Sequence, residues 1–431
     1  MAVYIYPMLK KTRALLSDTL IRSSGLMFTA FMISSVFNYL FQVIMGRLLG
    51  PGQYGFLNAL LALMAVLGIP IATLLMVVSR KTAEYKARSD YNGIHGLFSQ
   101  VNRTVLSAGG LGLVLFMLCS AYISAYLHAP SALPVIFIGL AAFASLAGPI
   151  NTALLQGLQD YKWLGISMGF GGPVRLFFCA ALVLAGFGVN GAAGGLVVTA
   201  VFMWALTYFP LKKYLLMGGA PHRAGHLPFG QIMPVFLANL AFTVMTQADM
   251  VLVNRYFPAH QAGVYASAAI LGRAVMYIPG SIVLAMFPMV SENNALNKSS
   301  GHLLLRAMLA TLGCSGTGAL LFYFLPEWII HSFFGARYIE AAPLLKYFGL
   351  AMLPMAFLMV LMNYLVAKEK TLFAYIMAAG AALEIAAMYL YHGVPLDIVK
   401  AMSAGGTLAL LAGIAAQWAL PARAVRARAG A

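Results

Sequence analysis

Long apolar segments, separated by short polar ones, recur along the whole chain. Each is about 20 residues long, the length at which a helix crosses the hydrocarbon of a bilayer. No ten-residue alternating pattern indicates a barrel, and an open sheet cannot satisfy its backbone in lipid. We therefore predict an all-α polytopic membrane protein with about 12 transmembrane helices. The predicted spans are 23–46, 54–79, 104–126, 132–156, 164–186, 191–211, 231–254, 263–289, 303–325, 343–366, 371–391 and 397–420.

The connections are short except for a basic segment halfway along the chain, "KKYLLMGGAPHRAGHLP". This segment divides the spans into two sets of six. Residues before the first span can form an amphipathic helix on the membrane surface. The predicted organisation is an amphipathic N-terminal segment (1–22), a six-helix lobe (23–211), a cytoplasmic linker (212–228), a second six-helix lobe (229–420) and a basic cytoplasmic tail (421–431).

The two halves carry a repeated turn. At an offset of 208 residues, "GRLLGPGQYGF" aligns with "NRYFPAHQAGV", so that Arg47 matches Arg255 and Gly55 matches Gly263. Lys162 matches Lys370 at the same offset, more than 100 residues away. We interpret the halves as duplicated units with a pseudo-twofold axis around a central cavity. Arg47 itself is expected at the outer headgroups rather than in contact with cargo.

Charge placement predicts the topology. With the N-terminus inside, 20 of the 27 Lys and Arg residues lie in inside segments, so both termini are expected in the cytoplasm. The composition, 62% hydrophobic with a mean hydropathy of +0.87, excludes a soluble protein of this size. The net charge is +16, but the basic residues lie between apolar segments and do not form one basic face, so we expect no nucleic-acid partner.

Chemical motifs are sparse. The three cysteines fall inside predicted spans, and the eight histidines have no ligand spacing, so neither a disulfide framework nor a metal is expected. No Walker-type or dinucleotide motif follows a strand, and we expect no cofactor and no catalytic residue. The sequence therefore favours transport over an enzyme, with energy from an ion gradient, membrane potential or removal of cargo.

Polar residues inside the spans form stripes at helical spacing. In the first span Ser35, Asn38 and Gln42 share one face, and in the seventh Thr243 and Thr246 do so. The offset of 208 residues pairs Ser35 with Thr243 and Asn38 with Thr246. Two interpretations stay open: hydrogen bonds between packed helices, or the lining of a watery cavity.

Four charged residues lie within spans, where charge is costly: Arg175, Asp249, Arg273 and Glu384. Arginine could hold a phosphate through its planar, permanently charged guanidinium. Asp249 or Glu384 could carry a coupling ion. Alternatively, an internal ion pair such as Arg273 with Asp249 only fixes the bundle.

Four segments carry a resemblance to a known family: "LLGPGQYGFLNALLAL", "LLQGLQDYKWLGI", the stretch from Asp249 to Glu292, and "FFGARYIEAAPLLKYFGLAMLP". They resemble the polysaccharide biosynthesis, or O-antigen (Wzx-type), flippases of the multidrug/oligosaccharidyl-lipid/polysaccharide exporter superfamily. The stretch 249–292 is the most specific, with its acidic residue before the turn, Gly-x-Tyr after it, and Phe-Pro with Ser-Glu at the end of the next span.

The resemblance implies a flippase in the cytoplasmic (inner) membrane for undecaprenyl-pyrophosphate-linked oligosaccharide, in lipopolysaccharide or other surface polysaccharide synthesis. For this cargo we expect Arg175 and Arg273 to bind the pyrophosphate, with Arg22 guiding it in from the cytoplasmic side. The expected sugar contacts are Ser35, Asn38, Gln42, Thr243 and Thr246. Its partners would be the lipid-linked oligosaccharide, membrane lipids and other polysaccharide-assembly proteins. A multidrug or cation exporter of the same superfamily is the alternative. Such an exporter needs an acidic cavity, and the spans contain only two acidic candidates, Asp249 and Glu384, against two arginines. A membrane glycosyltransferase or polymerase of the same pathway is a further alternative, but the sequence has no Asp-x-Asp motif.

Overall fold

The computed structural model describes residues 19–129, 131–217, 229–296, 298–368, 370 and 372–419, and these residues are almost entirely helical. Within these residues, the first half contains six α-helices and a short π-helical segment, Val183–Phe187. Its α-helices α1 to α6 are Thr19–Ala87, Tyr91–Tyr126, Leu133–Ala144, Ala147–Gly157, Tyr161–Leu182 and Gly188–Leu216.

The described part of the second half contains eight α-helices and a 3-10 segment, Ala336–Ala341. Its α-helices α7 to α14 are Phe229–Tyr256, Ala259–Tyr277, Gly280–Ala295, Gly301–Phe324, Pro326–Phe334, Ala342–Ala367, Leu372–Leu390 and Pro395–Ala419. Helix α11 is short and follows directly on α10.

Ten stretches of the described chain are long and apolar enough to cross a membrane. Two of them are about twice the necessary length: Gly25–Ile71 has 47 residues and Tyr161–Leu216 has 56. The first covers most of the predicted spans 23–46 and 54–79, and the second covers 164–186 and 191–211. In each stretch a glycine leaves the helical conformation between the two spans or at the end of the first, Gly50 with φ 70° and Gly186 with φ 93°. Only glycine adopts such angles readily. The prediction of an all-α polytopic membrane fold with about twelve spans is confirmed.

The chain forms two compact units. Unit 1 comprises the described residues within Met1–Met45, Pro70–Ile123 and Ser131–Leu227. Unit 2 comprises those within Pro228–Ala431 and, in addition, Gly46–Ile69 and Ser124–Pro130 from the first half. The turn that carries Arg47 therefore packs with the second half of the sequence.

Each unit has its own apolar interior. In unit 1, Val78, Ile94, Leu97 and Leu154 meet in a buried cluster. In unit 2, α12 packs against α8, α10 and α14. Large apolar side chains such as Leu118, 75% exposed, cover the surface, as a lipid-facing helix requires.

Several features that the sequence predicts fall outside the described residues. The amphipathic segment is described only from residue 19, the linker only to residue 217, and the basic tail 421–431 not at all.

Candidate functional site

A cationic site in unit 1 is built from α5 and the first part of α1. Arg175 donates a hydrogen bond from Nη1 to Asn38 Oδ1 at 3.2 Å. Its guanidinium also lies over the Phe41 ring, 4.0 Å from the centroid, a favourable cation–π geometry. No carboxylate of the described residues pairs with Arg175, and its Nε is buried without a hydrogen-bond partner among them. The site thus holds a positive charge with unused donor capacity.

Glycines on α5 bring Arg175 to this position. Gly165, Gly169 and Gly172 follow one another at four- and three-residue spacing, so they share one helix face. A methyl group on Gly172 would lie 2.7 Å from Ser34 O of α1, and one on Gly169 would lie 3.6 Å from Ala30 Cβ. Small residues let two helix backbones approach closely. The stripe therefore sets α5 against α1 and places Arg175, one turn further along α5, beside Asn38.

The other predicted site residues of the first half all lie on α1. Asn38 donates from Nδ2 to Ser34 O at 2.9 Å, which fixes its amide so that Oδ1 can face Arg175. Ser35 and Gln42 are half-buried on the same helix. Arg22 lies within α1, but its side chain is outside the described part of the structure.

An acidic site in unit 2 joins α7 and α8. Asp249 is fully buried. Its Oδ2 accepts a hydrogen bond from the Tyr265 hydroxyl at 2.8 Å, and its Oδ1 accepts one from Arg273 Nη2 at 2.5 Å. Tyr265 and Arg273 are eight residues apart on α8, about two helical turns. Arg273 is thus engaged in the internal ion pair that the sequence left open as an alternative to cargo binding.

Glu384 lies on α13, which packs against α7, the helix that carries Asp249. The residue is 1% exposed, and neither carboxyl oxygen has a hydrogen-bond partner among the described residues. Gly405 of α14 leaves room for it, since a methyl group there would lie 2.7 Å from Glu384 Oε2. Burying an unpartnered carboxylate costs several kcal/mol. A bound proton or cation would offset that penalty.

Thr246 of the seventh span is hydrogen-bonded within its own helix. Thr246 is buried and donates to Phe242 O at 2.9 Å. Thr243 is half-buried. The bond satisfies the hydroxyl donor of Thr246.

The repeat relates the two sites. The offset of 208 residues places Asp249 on Phe41, and an offset of 209 places Glu384 on Arg175. The corresponding helix pairs, α1 with α5 and α7 with α13, therefore carry a cationic site in unit 1 and an acidic site in unit 2.

Sequence reasoning missed several members of these sites. Tyr265 is the Gly-x-Tyr tyrosine of the family-like segment, but nothing in the spacing showed that it would bond to Asp249. Phe41 is one apolar residue among many. The glycines of α5 could have been found by their three- and four-residue spacing. Among the described residues, no group of three or more His, Cys, Asp or Glu side chains could hold a metal ion.

The protein-family model described as polysaccharide biosynthesis protein matches residues 44–343. Comparison with curated proteins gives no match. Among solved structures, a multidrug resistance MATE family transporter of the MOP superfamily, in an inward-facing conformation, aligns with a TM-score of 0.75 at 13% identity, over 89% of this chain and 93% of that one. The lipid II flippase MurJ, inward closed, aligns with a TM-score of 0.66 at 14% identity, over 91% and 88%.

A MOP superfamily transporter from Pyrococcus furiosus, described as having a binding pocket of reverse polarity, aligns with a TM-score of 0.65 at 13% identity, over 91% of this chain and 94% of that one. At such identities the likeness shows the fold alone. These structural neighbours are transporters or flippases.

Proposed function

Because the chain belongs to the polysaccharide biosynthesis protein family, we propose that it is a flippase that moves undecaprenyl-pyrophosphate-linked oligosaccharide across the cytoplasmic membrane by alternating access. The observation that carries this proposal is the cationic site of Arg175, Asn38 and Phe41. A pyrophosphate cannot cross hydrocarbon unaided, and a guanidinium with free donors is suited to bind it.

In this proposal the polar residues of the first and seventh spans contact sugar, while the lipid tail stays in the bilayer. Arg22 guides the anion in from the cytoplasm. The proposed sugar contacts are Ser35, Asn38, Gln42, Thr243 and Thr246. The halves 23–211 and 229–420 act as the two lobes of the transporter, with both termini in the cytoplasm.

The acidic site of unit 2 binds the coupling ion. Arg273 is paired with Asp249 at 2.5 Å in the present structure. A proton that binds Asp249 would neutralise the carboxylate and release the guanidinium, which could then attract the pyrophosphate. Glu384, with both oxygens unpartnered, is the second candidate for the coupling proton or cation.

A multidrug or cation exporter is the second candidate function, and the buried acids favour it. Asp249 and Glu384 resemble a cation site more than an anion site. The pairing of Asp249 with Arg273, however, leaves unit 2 with less net negative charge than two free carboxylates would give. The unpaired cation Arg175 has no use in a cation exporter.

Reconstitution separates the two functions. Purified protein in vesicles would be given a fluorescent undecaprenyl-pyrophosphate oligosaccharide in one experiment and a lipophilic cationic dye under a proton gradient in another. We expect the lipid to become accessible to a membrane-impermeant quencher from the opposite leaflet, with no dye movement beyond protein-free vesicles. Dye transport without lipid movement would assign the exporter function instead.

A further inference from the structure

Three exposed lysines lie at one end of unit 1, where α5 begins and α6 ends. Lys162 is in the first turn of α5, and Lys212 and Lys213 are in the last two turns of α6. All three side chains are exposed. Within the described part of the chain, none of the three ammonium groups pairs with a carboxylate. This end of unit 1 therefore presents three positive charges to its surroundings.

Two side-chain contacts hold these two helix ends together. Asp160, the N-cap of α5, accepts a hydrogen bond on Oδ2 from the Tyr214 hydroxyl at 3.1 Å. The rings of Trp163 on α5 and Phe209 on α6 lie 5.8 Å apart, measured between centroids. The three lysines are one to three positions from these residues in the sequence, so they belong to one area of the surface.

The lysines adjoin an apolar surface. Phe209 is 70% exposed, and Trp163 is half-buried. Lys212 and Lys213 follow Phe209 by three and four residues, so they lie about one turn further along the same side of α6. In a membrane-spanning protein, exposed aromatic rings beside cations are typical of the boundary between hydrocarbon and headgroups. The area therefore combines an apolar part with a cationic part about one helical turn away.

Helix stability does not explain Lys162. A cation in the first turn lies at the positive end of the helix dipole, where it is unfavourable. Two carboxylates at this end of unit 1 are used within the fold: Asp160 also accepts from Trp163 N at 3.4 Å, and Asp90 accepts from Gly93 N at 2.8 Å. The positive charge is therefore available to an anion from outside the chain.

The second repeat lacks this arrangement, so the duplicated fold does not require it. At the offset of 208 residues, Lys162 keeps a basic equivalent, Lys370. The other four residues have neither a basic nor an aromatic equivalent: Trp163 aligns with Thr371, Phe209 with Gln417, Lys212 with Leu420 and Lys213 with Pro421. Charges that only set the topology need no aromatic pair beside them.

We propose that this lysine–aromatic surface, formed by Lys162, Trp163, Phe209, Lys212 and Lys213, binds an anionic phospholipid of the surrounding bilayer. The ammonium groups bind the headgroup phosphate, and the rings contact the glycerol and the upper acyl chains. Basic pockets between membrane helices are suited to such headgroups. Because Phe209 is open to the bilayer, mass action favours the anionic lipid in excess, and phospholipid outnumbers any lipid-linked cargo.

Thermal unfolding of the full-length protein in a neutral detergent measures this binding. Phosphatidylglycerol should raise the unfolding temperature saturably, whereas phosphatidylcholine with the same acyl chains, whose headgroup has no net charge, should not. Each cation near a membrane surface contributes about fivefold to the affinity for anionic lipid. Replacing all three lysines by glutamine should therefore raise the phosphatidylglycerol concentration at half-saturation roughly 100-fold.

A matched control removes the same charge elsewhere. Arg103, Lys298 and Arg306 are also exposed, and the variant with glutamine at these three positions should respond to phosphatidylglycerol as the wild type does. Replacing the three lysines of the surface by arginine keeps the charge and should preserve the response. Equal half-saturation in the two glutamine variants would overturn the proposal. If the variant of the surface does not fold, single lysine substitutions, each expected to cost about fivefold, carry the test.

Two further probes identify the class of ligand. Inorganic phosphate, which has no acyl chains, should cause no shift at the concentration at which phosphatidylglycerol saturates. An equal shift with inorganic phosphate would overturn the lipid assignment. Tighter binding of undecaprenyl phosphate than of phosphatidylglycerol would also overturn it, and would assign the surface to the cargo. The proposal needs only the membrane fold, so failure of flipping in the wild-type protein would leave these outcomes unchanged.

Discussion

Replacing Arg175 tests the chemistry of the cationic site most directly. Arg175→Gln removes the charge and the planar pair of donors. It keeps a polar side chain directed at Asn38, whose Oδ1 lies 3.2 Å from Nη1 of the native arginine. A hydrogen bond to a charged group contributes about 1.5–3 kcal/mol. Two such bonds to a pyrophosphate, taken at the lower figure, give about 3 kcal/mol, or a loss of transport of roughly 100-fold.

The same substitution should have little effect on folding. The protein loses one hydrogen bond and one cation–π contact with Phe41, worth about 1 kcal/mol each. It also no longer buries the unpartnered Nε, which relieves about 1–3 kcal/mol. The net change in the free energy of unfolding is therefore expected within about 1 kcal/mol of zero.

The assay is the initial rate of lipid flipping in vesicles, with thermal unfolding measured on the same preparations. Arg175→Lys keeps the charge but offers no planar fork, so we expect about a tenfold loss, since one of the two bonds can remain. Asn38→Ala leaves the charge in place and should cost about threefold. Wild-type flipping by Arg175→Gln at equal protein levels would refute the proposed role; loss of stability in step with loss of flipping would indicate a structural role instead.

Three other substitutions have distinct expected outcomes. Gly172→Ala forces a methyl group against the backbone of α1 and should destabilise unit 1 by about 1–3 kcal/mol. In the control Gly171→Ala the methyl group would have its nearest neighbour at 4.0 Å, so this variant should unfold at the wild-type temperature. Equal unfolding temperatures of the two variants would rule out the role of the glycine stripe. Asp249→Asn leaves Arg273 buried without its counter-ion and should lower the free energy of unfolding by about 3–5 kcal/mol. Adding Arg273→Gln should restore part of that loss. If it restores none, the two residues are not energetically coupled. Glu384→Gln should fold at least as well as wild type in a calorimetric scan but lose the dependence of flipping on the ion gradient, and a retained dependence would exclude Glu384 as the coupling group.

The sequence by itself determined the membrane class and most of the architecture. The length and apolarity of the segments required helices, because backbone groups in lipid must be satisfied within the segment or a closed barrel. The offset of 208 residues, read from Arg47, Gly55 and Lys162 with their partners, indicated a duplication. The family followed from motifs around the second copy of the turn, and the match over residues 44–343 confirms the resemblance.

The tertiary structure decided what each buried charge touches. From the sequence, Arg175 and Arg273 were both candidates to hold a phosphate, and an ion pair of Arg273 with Asp249 was left open as an alternative. Packing distinguishes them, because Arg273 meets Asp249 from a neighbouring helix, while Arg175 meets an amide and an aromatic ring. Periodicity gives the face on which a side chain lies but not the helix that the face contacts, and that depends on distant residues such as the glycines of α5.

Arg47 shows the same limit. Its sequence position, in a turn between two spans, predicts a headgroup location and reveals its repeat partner. The contact with the last carbonyls of α11, 285 and 286 residues away, depends on how the turns of the two repeats meet. Local pattern fixes which groups a helix end leaves unsatisfied, and only the folded chain decides which distant donor satisfies them.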